Sequence, residues 1–377
     1  MMEKIYLDNS ATTAPCEQAV RAAEYAMTTC YGNPSSKHQL GTDAAGLVSA
    51  ARKNVSSVLG CASEELFFTA SGTTANNTAI FGAYEKLRRS GNRIVTTSVE
   101  HASVEEPLKR LEAAGVEVIR LRVGADGKID ENELFNAVTK DTILVSIMAV
   151  NNEVGAIEPT AAARRAVKRS GSRALVHVDA VQAFGKIDVR PSLCGADMIS
   201  VSAHKIHGIK GVGALYIKKG TNIKPYVLGG GQENNMFSGT EAVPAIAAFG
   251  AAALESADAG QSLERLASLR DGFVSRLRAA GGFEINSPDD ALPYIINISV
   301  TGCPSEPVIN ALSQAGVYIS AGSACKKGHR SHVLTAMGIS PERADCAVRI
   351  SLSRSTTREE LDFAFDELVK IKDRIKR

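Results

Sequence analysis

Between about residues 17 and 220 the sequence alternates helical periods with short β-branched runs. These are FFTA near 67, RIVTTS near 93, VEVIRL near 116, TILVSIMAV near 142, ALVHVD near 174, DMISVS near 197 and ALYIKK near 214. The alternation predicts an α/β fold with a mostly parallel sheet, because parallel neighbours need a crossover that a helix can supply. A run as continuously apolar as Ile143 to Val150 suits a sheet buried on both faces. Such sheets bind ligands beyond the carboxyl ends of their strands, and the polar residues here gather at those ends.

A Gly-rich loop, GGGQENNMFSGT at 229 to 240, precedes an Ala-rich helix near 241 to 256 and a charged helix near 262 to 280 that links two domains. Strands near 294 to 300, 317 to 319 and 347 to 352, with a final helix from about 357, read as a small α+β domain. The expected division is a large domain over 15–258 and a small one built from 1–14 and 259–377, within what 377 residues hold at roughly 150 per domain.

Charge excludes one class of partner. The formal net charge is +2, which offers no general attraction for nucleic acid or an anionic membrane. The seven cysteines (16, 30, 61, 194, 303, 325 and 346) are scattered and odd in number, so neither a zinc knuckle nor a disulfide framework fits them. The start, MMEKIYLDNSATT, carries no basic and apolar leader pattern, and the expectation is a protein of a reducing, cytoplasmic compartment. ADGKIDENEL at 125 to 134 resembles half of a calcium loop, but Arg122 and Gly124 stand where the first ligands belong, and no metal is expected. Asp130 with Glu133 reads as a helix cap.

Three segments carry chemistry. Ser71-Gly72-Thr73-Thr74, between a strand and a helical run, offers backbone N–H groups, hydroxyls and a helix dipole to a phosphate. No G-x-x-x-x-G-K-[ST] or strand-borne G-x-G-x-x-G is present, which argues against nucleotides. Asp179, ending ALVHVD, is placed to pair with a pyridinium nitrogen or to cap a helix. Lys205, in Ser202-Ala203-His204-Lys205 after DMISVS, is placed to form a Schiff base or to sit in solvent. A phosphate cradle, an acid for a pyridine nitrogen and a lysine for an aldehyde are together the three handles of pyridoxal 5′-phosphate.

The ordered series SGTTANN, VEHASV, VNNEVG, HVDAVQAFG, SAHKIHGIKGVGALY, GGGQE, SGT and SAGSACKKGH resembles the cysteine desulfurases of the class V aminotransferases, in the group with a GSAC active-site segment. The resemblance runs from LDNSATT to SLSRSTT. It implies fold type I of the pyridoxal-phosphate enzymes, with a mostly parallel seven-stranded sheet in the cofactor-binding domain and the nucleophile loop on the small one.

It also implies roles. Lys205 carries the cofactor, Asp179 pairs with its ring nitrogen, and His101 stacks on the ring and moves protons. Asn152 and Gln182 contact the ring-oxygen side. Thr73, Thr74, Ser202 and His204 hold the phosphate, with Thr240 reaching in from a second subunit, so a homodimer is expected. Cys325 is the nucleophile, Arg349 receives the substrate carboxylate, and Asn33 and Asn152 border the substrate.

The implied activity converts L-cysteine to L-alanine, leaving sulfur on Cys325 as a persulfide for an acceptor thiol in iron–sulfur, thio-cofactor or tRNA-thiolation chemistry. Selenocysteine lyase activity and a non-catalytic sulfur-transfer regulator are the alternatives. Three departures accompany the match: Phe237 where the family carries arginine, Ala75 where it carries glutamate, and a shortened segment after Cys325.

Overall fold

The computed structural model describes residues 4–257, 259–322 and 330–375. Its main sheet has seven strands in the order Leu66–Thr69, Gly213–Ile217, Met198–Ser202, Leu175–Asp179, Thr142–Met148, Arg93–Thr97 and Glu117–Leu121. Gly213–Ile217 runs antiparallel to both its neighbours, and the other pairs are parallel. The short link after Ser202 leaves no room for a crossover helix, so the chain returns antiparallel.

Helices cover both faces. Alternate residues of one strand enter different cores: Ile94 packs in a cluster with Ala79, Ile80 and Leu108, and Val95 in the cluster containing Ala162 and Ala166. Every residue of Thr142–Met148 is buried, as its unbroken apolar run requires. Asp130 caps Glu131–Ala137, its Oδ1 accepting the N–H groups of Asn132 (2.7 Å) and Glu133 (3.0 Å).

A second, three-stranded antiparallel sheet orders Ala347–Ser351, Ile295–Val300 and Phe283–Ile285. The strand Phe283–Ile285 was not anticipated, since three residues are too few to display an alternating pattern. Ile5–Tyr6 pairs in parallel with Val317–Tyr318, and Asp8 bridges to Ser351, so the first described residues lie against late parts of the chain.

The Gly-rich loop is pinned by one acid. Glu233 is buried, takes both Arg52 guanidinium nitrogens at 2.7 Å and accepts the Phe68 N–H at 2.8 Å. Glu233, Asn234 and Asn235 all adopt positive φ (49°, 52° and 64°), a local conformation that the buried pair holds in place. Among the described residues no helix is long and apolar enough to cross a membrane.

His177 shows how the sheet interior handles a polar side chain. Its ring nitrogens lie 2.8 Å from Ser146 Oγ and 2.9 Å from Ser200 Oγ on the flanking strands. Burial pushes its pKa down from 6.5 to about 3. The depressed folded value means that stability is fully present above pH 6.5 and is lost as the pH falls toward 3, because the unfolded chain gains the proton first. Between pH 6.5 and 5, His177→Gln is expected to lose about 2 kcal/mol less stability than wild type in urea unfolding. Coincident pH slopes for the two proteins would remove His177 from this role.

Candidate active site

A cavity of about 660 Å³ opens at the carboxyl ends of the parallel strands. Five strand ends feed it. Ser71, Gly72 and Thr73 follow Leu66–Thr69, His101 follows Arg93–Thr97, and Asn152 follows Thr142–Met148. Asp179 ends Leu175–Asp179, and Ser202, His204 and Lys205 come from the end of Met198–Ser202 and its 3-10 turn. Gln182, Gly322 and Arg349 complete the wall.

At one end Gly72 begins a helix that runs to Leu87, so its free N–H groups and dipole face the cavity. A Cβ at Gly72 would lie 2.8 Å from Val181 Cγ2 and 3.2 Å from Ser202 Cβ, so glycine is required by close approach. Ser202 Oγ is buried there without a hydrogen-bond partner among the described residues. His204, with Nδ1 3.2 Å from Thr12 Oγ1, is pushed down to about 4 by burial and then by Lys205, and is neutral at neutral pH.

In the centre Asp179 is held by two donors, Asn76 Nδ2 at 2.7 Å and the Val181 N–H at 2.9 Å. Lys205 Nζ donates to the Ser10 carbonyl at 2.6 Å and the Ala11 carbonyl at 2.9 Å. Gln182 Nε2 reaches the same Ser10 oxygen at 2.9 Å, and its Oε1 accepts from the buried Lys186 Nζ at 3.1 Å. Burial, reinforced by Lys205 and Arg349, pushes the Lys186 pKa down to about 7. The His101 pKa is lowered, chiefly by burial, against the pull of Asp179.

At the other end Arg349 is 2% exposed. Its guanidinium donates to the Asn152 and Gly322 carbonyls (2.8 and 3.1 Å), Asp8 Oδ1 (2.9 Å) and Ser320 Oγ (2.9 Å), while Nε has no hydrogen-bond partner among the described residues. Two buried carboxyls stand nearby. Burial raises Glu100 well above its ordinary range, and burial also raises Glu153, which accepts from Ser331 Oγ at 2.5 Å.

Of the residues expected from sequence, Thr73, His101, Asn152, Asp179, Gln182, Ser202, His204, Lys205 and Arg349 line this one cavity. Three do not. Thr74 turns its hydroxyl back to Ser71 Oγ (2.9 Å) inside the helix cap, and Ser71 lines the wall instead. Asn33 is exposed and accepts the Ser35 N–H at 2.9 Å, and Thr240 is exposed beyond the pinned Gly-rich loop. Cys325 lies outside the described residues, and Gly322 is the last described residue before it.

Sequence reasoning missed Asp8, Ser10, Ala11 and Thr12, which together touch Arg349, Lys205 and His204. Ser10 and Ala11 act through backbone carbonyls, which leave no side-chain pattern to read, whereas Asp8 and Thr12 act through side chains of LDNSATT whose partners lie 341 and 192 residues away. It also missed Asn76 and Ser103. Among the described residues no group of three His, Cys, Asp or Glu could hold a metal ion.

The donor set fits pyridoxal 5′-phosphate. An unpartnered buried hydroxyl stands beside a glycine-led helix N-terminus, a doubly anchored carboxylate sits at the centre, and a lysine amine lines the same wall.

The chain is similar to known proteins over its length. The chain is 39% identical to "Cysteine desulfurase IscS" of Dictyoglomus turgidum over 100% of this chain and 96% of that protein. It is 38% identical to "Cysteine desulfurase" of Trichormus azollae over 100% and 94%. A solved "NIFS-LIKE PROTEIN" superposes with a TM-score of 0.92 at 37% identity, over 99% of this chain and 100% of that one. "SspA in complex with cysteine" superposes with a TM-score of 0.83 at 30% identity, over 94% and 100%. The cofactor of such proteins, and of this one, is pyridoxal 5′-phosphate. With the family profile described as "Aminotransferase class-V" matching residues 5–363, the chain belongs to the class-V aminotransferase family.

Proposed function

We propose that this protein is a cysteine desulfurase: L-cysteine gives L-alanine, and its sulfur passes to Cys325 and then to an acceptor thiol. The observation that carries the reading is the convergence of Asp179, Lys205, His101 and Arg349 on one cavity also lined by Gly322, Arg330 and His332, the described residues that flank Cys325 in sequence. A transaminase needs the first three groups but no nucleophilic cysteine.

In this reading Thr73, Thr74, Ser202 and His204 would hold the phosphate with the helix N-terminus that Gly72 begins, Asp179 would hold a proton on the ring nitrogen, and Lys205 Nζ would make the covalent attachment. Once bound, the cofactor supplies an electron sink for the substrate α-carbon. His101 would stack on the ring, and Asn152 and Gln182 would border its oxygen side. Arg349 takes the substrate carboxylate, with its unpartnered Nε as the open donor. Lys205 Nζ, released from its attachment, moves the α-proton.

The Cys325 thiolate then bonds to the substrate sulfur as the Cβ–S bond breaks. That bond's electron pair returns to carbon, which takes up a proton on the way to alanine. Cys325 is left as a persulfide, so cysteine plus thiol gives alanine plus persulfide with no outside oxidant.

The same reading divides the chain into a cofactor-binding domain at 15–258 and a smaller one formed by 1–14 and 259–377. It gives a cytoplasmic homodimer in which the exposed Thr240 serves its partner's phosphate, and an acceptor protein that collects the persulfide sulfur. The test is alanine and sulfide release from L-cysteine with a reductant, with and without a keto acid. Equal alanine and sulfide without keto acid is the expected result. Alanine that requires a keto acid identifies a transaminase, and release from selenocysteine alone identifies the lyase.

A further inference from the structure

We propose that Asn76 and Ser103 are positioning residues that tie Asp179 to His101 and lock the imidazole in the tautomer whose proton lies on Nε2. The inference rests on reading this cavity as the desulfurase active site. Asn76 lies in the helix Gly72–Leu87 and is fully buried; Ser103 lies in the first turn of Ala102–Ala113 and is 7% exposed.

Donors and acceptors along this line can be assigned by elimination. Asn76 Nδ2 lies 2.7 Å from Asp179 Oδ2 and 2.8 Å from Ser103 Oγ. A carboxylate only accepts, so the amide nitrogen faces it; a flipped amide would set oxygen against oxygen. One Nδ2 hydrogen therefore goes to Asp179 and the other to Ser103. Having accepted, the Ser103 hydroxyl directs its single proton to His101 Nδ1 at 2.8 Å, and the same nitrogen accepts the Ser103 N–H at 3.1 Å. With two donors aimed at Nδ1, the proton of the neutral ring belongs on Nε2.

Two further observations fit a role beyond packing. Asn76 Oδ1 is buried with no hydrogen-bond partner among the described residues, a cost that the residue's own burial does not offset. The neighbouring Asn77 Nδ2 donates to the Thr73 and Ser103 carbonyls (2.9 and 3.2 Å), which holds the two helices in the register that the line requires.

The consequence is chemical. Charging His101 needs a proton on Nδ1 and the loss of both donors there, so the line keeps the ring neutral. The groups facing it divide: Asp179 favours the charged ring, whereas Lys205 and His332 oppose it, and the buried Glu100 precedes it in the chain. The same Asn76 amide fixes one Asp179 oxygen, so one side chain sets both the acid and the histidine.

The test uses the full-length enzyme loaded with pyridoxal 5′-phosphate and carrying 15N-labelled histidine, as wild type, S103A, S103T and N76A. In S103A the His101 pKa is expected to rise by about half to one unit, from loss of one donor to the neutral ring. The acid limb of the kcat/KM profile moves with it, kcat falls by roughly three- to tenfold, and KM stays nearly unchanged. S103T, which returns the hydroxyl, restores both readouts. N76A gives the same histidine shift and also moves the visible absorption maximum of the bound cofactor, because Asp179 loses a donor; S103A leaves that maximum in place.

An unmoved His101 titration in both S103A and N76A overturns the proposal, as does an S103T that behaves like S103A. If S103A fails to fold, N76A and S103T decide by the same criteria. A wild type that makes no alanine overturns the desulfurase reading, while the His101 titration still decides the line.

Discussion

A Cys325→Ser chain loaded with cofactor is expected to retain its visible absorption and its binding of L-cysteine, while alanine formation falls on the order of 10³-fold or more. The reason lies in the bond that must form. A thiolate is a polarizable nucleophile populated near neutral pH, and the sulfur–sulfur bond it makes is a normal product; a serine hydroxyl stays protonated and has no comparable product. The cofactor grip is built from strand ends between 71 and 205, so this substitution leaves it intact. Alkylation followed by mass spectrometry should find one added sulfur on Cys325 in wild type after L-cysteine and none in the variant. Retained turnover in Cys325→Ser would sink the persulfide route and leave the cavity as a transaminase site.

The second large effect is at Arg349. Its guanidinium serves two carbonyls, a serine hydroxyl and Asp8 while being 2% exposed. Arg349→Gln leaves the Asp8 carboxylate without its cation, and breaking such a pair costs about 3 kcal/mol of stability. It also removes the open Nε donor proposed to take the substrate carboxylate, and KM for L-cysteine is expected to rise on the order of 10²-fold, the equivalent of about 2.7 kcal/mol.

A cycle with Asp8→Asn separates the two effects. Neutralising the stranded acid in the double variant should recover much of the stability and none of the KM. Recovery of KM together with stability would show that Arg349 supports the fold and does not touch substrate.

The main sheet was legible because each strand is a β-branched run set off by helical stretches, and FFTA through ALYIKK all became strands of one sheet. Asp179 and Lys205 were legible because strand ends deliver side chains to one edge. At the turn before the helix Gly72–Leu87 the sequence leaves one detail open. Thr74 and Ser71 are both hydroxyls in one helix cap, and only the cap geometry decides which of them faces inward. Asn76 and Ser103 were illegible for a different reason: a helix-interior asparagine and a first-turn serine gain meaning only when two helices place them 2.8 Å apart. The strand Phe283–Ile285 needed its partner Ile295–Val300 to exist at all.

The strip from Asp8 to Thr13 has a consequence in time. It joins the arginine at 349, the lysine at 205 and the histidine at 204, and Asn9 Nδ2 donates to the Ser351 carbonyl across 342 residues of sequence. On the ribosome this strip emerges before any of its partners, whereas the strand Ala347–Ser351 follows long after it. The strands from 66 to 217 have what they need to pair first, and the pocket can acquire its full wall only after Arg349 has been made. Until Arg349 has emerged, a nascent chain lacks the residue that joins this strip to the far end of the cavity.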